Sequence, residues 1–256
     1  YNMEQMKKRI GDNARLIGVI KTDGYGHGAV PIAEMFEEMD YVWGYAVACI
    51  GEAVVLRKNG IKKPILILGC VFPDEYETMI EHDIRAAVYT EQMAEAMSET
   101  AVRMGKKAYF HIKVETGMGR IGFQVNEESA DVIERISRLP NVCIEGMFTH
   151  FAKADEKDKT YTLQQHEKFM WMKAEMEKRN ISISYFDCDN SAGIIDVPEA
   201  NMDLVRAGIS IYGLYPSGEV NKANVPLKPA LQWVSHVAHV KWVEAGTPVS
   251  YGGTYV

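Results

Sequence analysis

The sequence predicts an α/β protein: a (β/α)8 TIM-like barrel over residues 1–225, followed by the start of a mainly-β C-terminal domain over 226–256. Three observations carry this reading. Apolar runs of strand length recur at 16–21, 42–48, 65–71, 84–89, 108–115, 142–149, 183–189 and 203–212, with helical stretches between them. Strands alternating with helices build a mostly parallel sheet, and eight repeats over roughly 210 residues favour a closed barrel over an open doubly wound sheet. Runs such as Ile65-Leu66-Ile67-Leu68 and Val142-Cys143-Ile144 are continuously apolar, as strands covered on both faces should be. After Val225 the pattern changes. Gln232 to Val243 alternates with a period near two, which predicts a half-exposed antiparallel strand.

In chain order, Tyr1 to Met6 already reads as helix, and further helices fall at 32–36, 51–59, 91–104, 127–138 and 160–179. The last has the clearest helical period, with Phe169, Met172 and Met176 three and four residues apart. Asn126, followed by two acids, and Thr160 are candidate N-caps. The chain opens inside a helix and closes inside a β-like segment, so a fragment is expected.

The 256 residues suffice for one large domain or two smaller ones, and 47% hydrophobic with 25% charged residues is an ordinary globular composition. A net charge of −7 without a basic tract argues against a nucleic-acid binder. No run is apolar enough to span a bilayer, and no secretory signal opens the chain. Cys49, Cys70, Cys143 and Cys188 lie in or beside apolar runs without short pair spacing, which predicts buried free thiols in a reducing, cytoplasmic setting. No cysteine or histidine spacing suits a metal.

The chemistry centres on Leu16 to Gly28. An apolar strand ends on Lys21 and spills into a loop with Gly24, Gly26 and Gly28 around Tyr25 and His27. A lysine at the end of a buried strand is costly unless it is neutral or covalently used, and the glycines let backbone N–H groups approach an anion. Functional residues of a barrel gather at the C-terminal strand ends. There the sequence offers Lys21, then His150, then Asn190 with Ser191, then Arg206 with Gly208. Singly, each has a structural reading: a core histidine, an Asn-Ser turn, an ion-paired arginine. Four polar residues ending four different apolar strands are harder to explain that way. Gly117-x-Gly119-x-x-Gly122 matches a dinucleotide fingerprint, but no helix opens at once after it and an arginine sits inside it, so it reads as a decoy.

Lys21-Thr22-Asp23-Gly24-Tyr25-Gly26-His27-Gly28 resembles the pyridoxal-phosphate lysine motif of the alanine racemases, enzymes of fold type III. Ordered motifs from Lys21 to Tyr251 extend the resemblance over nearly the whole chain. Thr22 and Gly24 stand where alanine is usual in the family, and Glu115 where aspartate is commoner. The resemblance implies pyridoxal 5′-phosphate as cofactor, bound by Lys21, Tyr25, His150, Asn190, Ser191, Arg206, Gly208 and Ile209. It places Arg206 at the ring nitrogen, where an arginine that keeps its proton weakens the electron sink and favours racemisation over decarboxylation. It gives Arg120 the substrate carboxylate and identifies Lys113 with the lysine that is N-carbamylated in many members, the alternative for Lys113 being an ordinary ion pair with Glu115. The two catalytic bases would be Lys21 and Tyr251, with Tyr251 assisted through His150 and Arg206. A head-to-tail homodimer with shared active sites is implied, acting on a small amino acid, alanine first. The alternatives are a serine or broad-specificity racemase, a non-catalytic pyridoxal-phosphate carrier barrel, and a purely structural barrel.

Overall fold

The computed structural model describes residues 1–256. Eight parallel strands form the barrel: β1 (Arg15–Val19), β2 (Val42–Val47), β3 (Ile65–Ile67), β4 (Arg85–Val88), β5 (Ala108–Glu115), β6 (Val142–Phe148), β7 (Tyr185–Asp187) and β8 (Leu204–Ala207). Each pairs with the next, and β8 returns to β1 with Arg15 opposite Leu204, so the expected closed barrel is the one observed. Outside it, the short strand Phe123–Gln124 lies along the end of β5.

Helices wrap the strands in chain order: α1 (Asn2–Ile10), α2 (Ala29–Glu37), α3 (Ile50–Lys58), α4 (Tyr76–Glu81), α5 (Glu91–Met104), α6 (Glu127–Ser137), α7 (Thr160–Lys178) and α8 (Ser191–Asp196). All six residues of β2 are buried, which is what the continuous apolar runs require. The main core lies between barrel and helices. Phe169, Met172 and Met176 of α7 are fully buried there, each contributing about 1.5–3 kcal/mol by leaving water.

The N-terminal half of the barrel interior is plugged by a polar cluster. Where β5 meets β6 the register slips by one: Phe110 faces Ile144 and His111 faces Gly146. Glu145 is the extra residue, and such a bulge re-aims a side chain. Its carboxylate accepts from Arg85 Nε at 2.9 Å and meets His111 Nε2 at 3.3 Å. Trp43 stacks beside His111 at 5.5 Å. A side chain at Gly146 would stand 2.5 Å from His111 Nδ1, so only glycine fits.

Several expectations are corrected. The eighth run is a strand only over Leu204–Ala207. Gly208 then breaks it, and Ile209–Tyr212 forms a 3-10 turn. Helices α4 and α8 were not predicted, being too short to show a period. Asn126 caps α6 as expected, accepting from Ser129 N at 2.8 Å. Thr160 does not cap α7. It lies in the first turn, and Asp158 Oδ1 accepts from its N–H at 2.9 Å. Only Cys188 is buried. Cys143 is half-buried, while Cys49 and Cys70 are exposed because they fall just past β2 and β3, on the rim.

No ladder forms over 232–243. Residues up to Ala230 return to the barrel, with Ala230 N–H bonded to Tyr212 O at 3.0 Å. From Leu231 the chain is irregular and exposed, with Trp233 and Trp242 bare, one antiparallel bridge, Val249 to Tyr255, and a 3-10 turn at Tyr251–Gly253. An antiparallel strand needs a neighbour, and these residues have none within the chain. No helix is long and apolar enough to cross a membrane.

Candidate active site

All eight strands point their C-terminal ends at one cavity of about 520 Å³. β1 brings Val19 and Lys21, β2 Ala48, β3 Leu68, β4 Tyr89, β5 Lys113, β6 Phe148 and His150, β7 Asn190, and β8 Arg206 and Gly208. Tyr25, Arg120, Ser191 and Ile209 complete it. Of the residues predicted for the site, all but Tyr251 line this one space.

Lys21 leaves β1 into a turn of unusual hand. Thr22, Asp23 and Tyr25 have φ of 52°, and Gly24 has 60°. Three non-glycine residues in the left-handed region cost roughly 1–2 kcal/mol each, so surrounding contacts must impose the conformation. Asp23 Oδ1 accepts from Ala29 N at 2.8 Å, and the Tyr25 ring packs on Tyr212 with centroids 4.9 Å apart. Lys21 Nζ, half-buried, has no hydrogen-bond partner and lies 6.0 Å from the Tyr25 ring centre.

Arg206 is almost wholly buried and held on three sides. Nη1 bonds to the Asp187 carboxylate. Nη2 donates to Thr149 O at 2.7 Å and meets His150 Nδ1 at 3.3 Å. The guanidinium also lies 5.2 Å from the Phe148 ring centre. His150 Nδ1 accepts there, so the ring proton sits on Nε2. Burial, then the charges of Arg206, Arg120, Lys113 and Lys21, push the His150 pKa down to about 2. The imidazole is therefore neutral throughout the physiological range. Burial also raises the Asp187 carboxyl to about 7, although the Arg206 charge pulls it down.

Lys113 is 2% exposed, with Nζ donating to Val114 O at 2.7 Å and Ile121 O at 3.1 Å. Burial lowers its pKa to about 8, Arg206 and Arg120 adding to the effect against Glu115. It makes no ion pair with Glu115, which accepts from Gly117 N at 2.6 Å and Arg120 N at 3.1 Å. These bonds shape the loop carrying Arg120, whose guanidinium is exposed and has no protein partner. The glycines of the dinucleotide-like pattern serve the same loop. A Cβ at Gly122 would come within 2.6 Å of Glu115 N, and one at Gly117 within 2.6 Å of the Tyr161 hydroxyl. The helix after them starts only at Glu127, in keeping with the decoy reading.

In the same cavity a small cradle opens at Gly208. A Cβ there would stand 3.5 Å from the Tyr25 hydroxyl and 3.8 Å from Ser191 Oγ. Gly208 N–H donates to Ser191 Oγ at 2.9 Å, beside the start of the Ile209–Tyr212 turn. Asn190 sets Ser191 in place: its Oδ1 caps α8 by accepting from Ala192 N and Gly193 N, and its Nδ2 donates to Phe151 O at 3.2 Å.

Comparison with known proteins gives the family. The profile of the alanine racemase N-terminal domain matches residues 1–216. The chain belongs to that family. It is 45% identical over 252 residues to an alanine racemase of Clostridium tetani, covering 98% of this chain and 65% of the relative. It is 42% identical over 255 residues to one of Desulforamulus reducens, covering 100% and 69%. The alanine racemase of Clostridium difficile 630 superposes with a TM-score of 0.94 at 41% identity, covering 100% of this chain and 66% of that one. One from Bacillus anthracis, solved with bound L-Ala-P, gives 0.88 at 31%, covering 99% and 66%. The chain thus spans about two thirds of the length of these relatives.

Tyr251, beyond the residues matched by the family profile, stands apart from the cavity, fully exposed in the 3-10 turn Tyr251–Gly253. The sequence reading gave no role to Asp187 or to the lining residues Tyr89, Cys70 and Asp155. Asp187 had a signal. An acid inside an otherwise apolar strand must find a buried partner.

Proposed function

We propose that the chain is the cofactor-binding barrel of a pyridoxal-phosphate-dependent racemase that interconverts L- and D-alanine. Convergence of Lys21, Arg120, His150 and Arg206 on one cavity, with a polar cradle at Gly208, supports this most. The residues fit the cofactor. The cradle of Tyr25 and Ser191 hydroxyls, with the Gly208 and Ile209 backbone, suits a phosphate, and Lys21 Nζ is unpartnered in the same cavity. When bound, pyridoxal phosphate supplies an electron sink that acidifies the Cα–H of an amino acid.

The chain's own groups then have separable tasks. Lys21 would hold the cofactor and, once released, exchange a proton with Cα on one face. Arg206 would donate to the ring nitrogen while keeping its own proton. Neutral His150, protonated on Nε2, would donate to the second base and stabilise it as an anion. That base would be Tyr251 of a second copy in a head-to-tail dimer, since Tyr251 is remote within one subunit. Arg120 would bind the substrate carboxylate. With a pKa of about 8, Lys113 keeps about a tenth of its amine neutral at pH 7, the form that adds carbon dioxide, and the resulting carbamate would hold Arg120. A cytoplasmic setting suits four unpaired cysteines.

The test is solvent deuterium incorporation at Cα of L- and D-alanine by the protein loaded with pyridoxal phosphate. Exchange into both enantiomers is expected. Cofactor bound on Lys21 without exchange into either would leave a carrier barrel instead. Faster exchange with serine would move the substrate assignment.

A further inference from the structure

We infer that Glu52 is the positioning residue for Lys21, holding the left-handed turn that fixes where the lysine amine emerges. This rests on the reading of Lys21 as the cofactor lysine. The turn is the most strained backbone in the chain, with Thr22, Asp23, Gly24 and Tyr25 all in the left-handed region in succession. Thr22, directly after Lys21, is the least suited to it, because a β-branched residue at positive φ is a genuine outlier. Its far end is tied by Asp23 to Ala29 N and by Tyr25 packing on Tyr212. Its near end is tied by Glu52. Oε1 accepts from Thr22 N at 2.6 Å, and Oε2 accepts from Ala48 N at 2.7 Å. Glu52 is the only side chain outside the turn that bonds to Thr22, and its carboxylate pairs with no cation. Both oxygens serve backbone N–H groups at the ends of β1 and β2.

A structural account exists for half of this. Glu52 is the third residue of α3, and its bond to Ala48 N, the residue before the N-cap Cys49, ties down the chain as it enters that helix. The bond to Thr22, 30 positions away, serves no helix end. It anchors the residue that follows Lys21, and a displacement there moves the lysine Cα. Glu52 does not line the cavity, so it acts through Lys21.

The two roles separate in Glu52→Asp. An aspartate still suits the first turn of a helix, but its shorter side chain cannot span Ala48 and Thr22 together. Wild type and Glu52→Asp are compared in the full chain by three readouts. These are the thermal midpoint, titration with pyridoxal 5′-phosphate followed by the absorbance of the lysine-bound cofactor, and amide exchange at Thr22 without cofactor. We expect a midpoint within a few degrees, cofactor affinity weaker by about tenfold or more, and Thr22 exchange faster by a similar factor, the loss of one charge-assisted hydrogen bond. Unchanged affinity with unchanged Thr22 protection overturns the inference. So does a loss of affinity that merely follows a falling midpoint, with all amides equally deprotected. A wild type that never attaches the cofactor to Lys21 defeats the cofactor reading instead, and Thr22 exchange still decides whether Glu52 holds the turn.

Discussion

At the N-terminal end of the barrel interior, Arg85 meets Asp83 and Glu145, and Glu145 meets His111. At the C-terminal end, Lys21, Lys113 and Arg120 share one cavity with neutral His150, and only Arg206 has a buried acid against it. Both ends hold buried charge. The lower cluster supplies its own counter-ions, and burial's upward push on Glu145 is outweighed by the His111 and Arg85 hydrogen bonds, which bring it down to about 2. The upper cluster leaves cations unmatched, and their charges add to burial in driving His150 down. A structural charge network closes on itself, whereas a binding site is left open for the charge of its ligand. The anionic cofactor and carboxylate substrate proposed above would supply the matching charge.

The contrast can be broken most strongly from below. Glu145→Ala strips the partner from buried Arg85 and is expected to cost about 3–5 kcal/mol in urea unfolding while leaving cofactor attachment intact at low temperature. Lys113→Met should act in the opposite direction. The folded pKa of Lys113, about 8, lies below the ordinary 10.5, so its charge opposes folding fully below pH 8, and the penalty fades as pH rises towards 10.5. The variant is expected to gain up to about 3 kcal/mol at pH 7 and nothing above pH 10.5, checked by urea unfolding across that window. A Lys113→Met variant that is less stable at pH 7 would show the lysine to be structural, like the lower cluster. Arg103→Ala sharpens the comparison at the small end. Its 2.6 Å bond to Glu77 is as short as those inside the barrel, but both side chains are about 60% exposed. Its loss should change stability by less than about 1 kcal/mol.

How much of this was legible in the sequence follows the same division. The strands showed because each is a mainly apolar run of strand length, and the upper cluster showed because its residues lie at the C-terminal ends of those runs. Lys21, His150 and Arg206 each break an apolar stretch at a strand's C-terminal end, where barrel chemistry collects. The lower cluster did not show. Arg85, His111 and Glu145 lie on three different strands, and only the β4–β5 and β5–β6 pairings, with the slip at Glu145, bring them together. The left-handed turn was half legible. Gly24, Gly26 and Gly28 announced tight turning, but nothing local marks Thr22 and Asp23 for positive φ, because a distant glutamate helps impose it. The expected strand at 232–243 has the right alternation and no neighbour to pair with, and alternation alone does not make a sheet.

The open charge at the upper end is tested most directly by borohydride trapping. The protein is incubated with pyridoxal 5′-phosphate, reduced, digested and mapped by mass spectrometry. The account predicts one stoichiometric pyridoxyl adduct on the peptide bearing Lys21, with Lys113 unlabelled because its amine is buried against Val114 O and Ile121 O. Labelling scattered over surface lysines, with Lys21 unmodified, would contradict it.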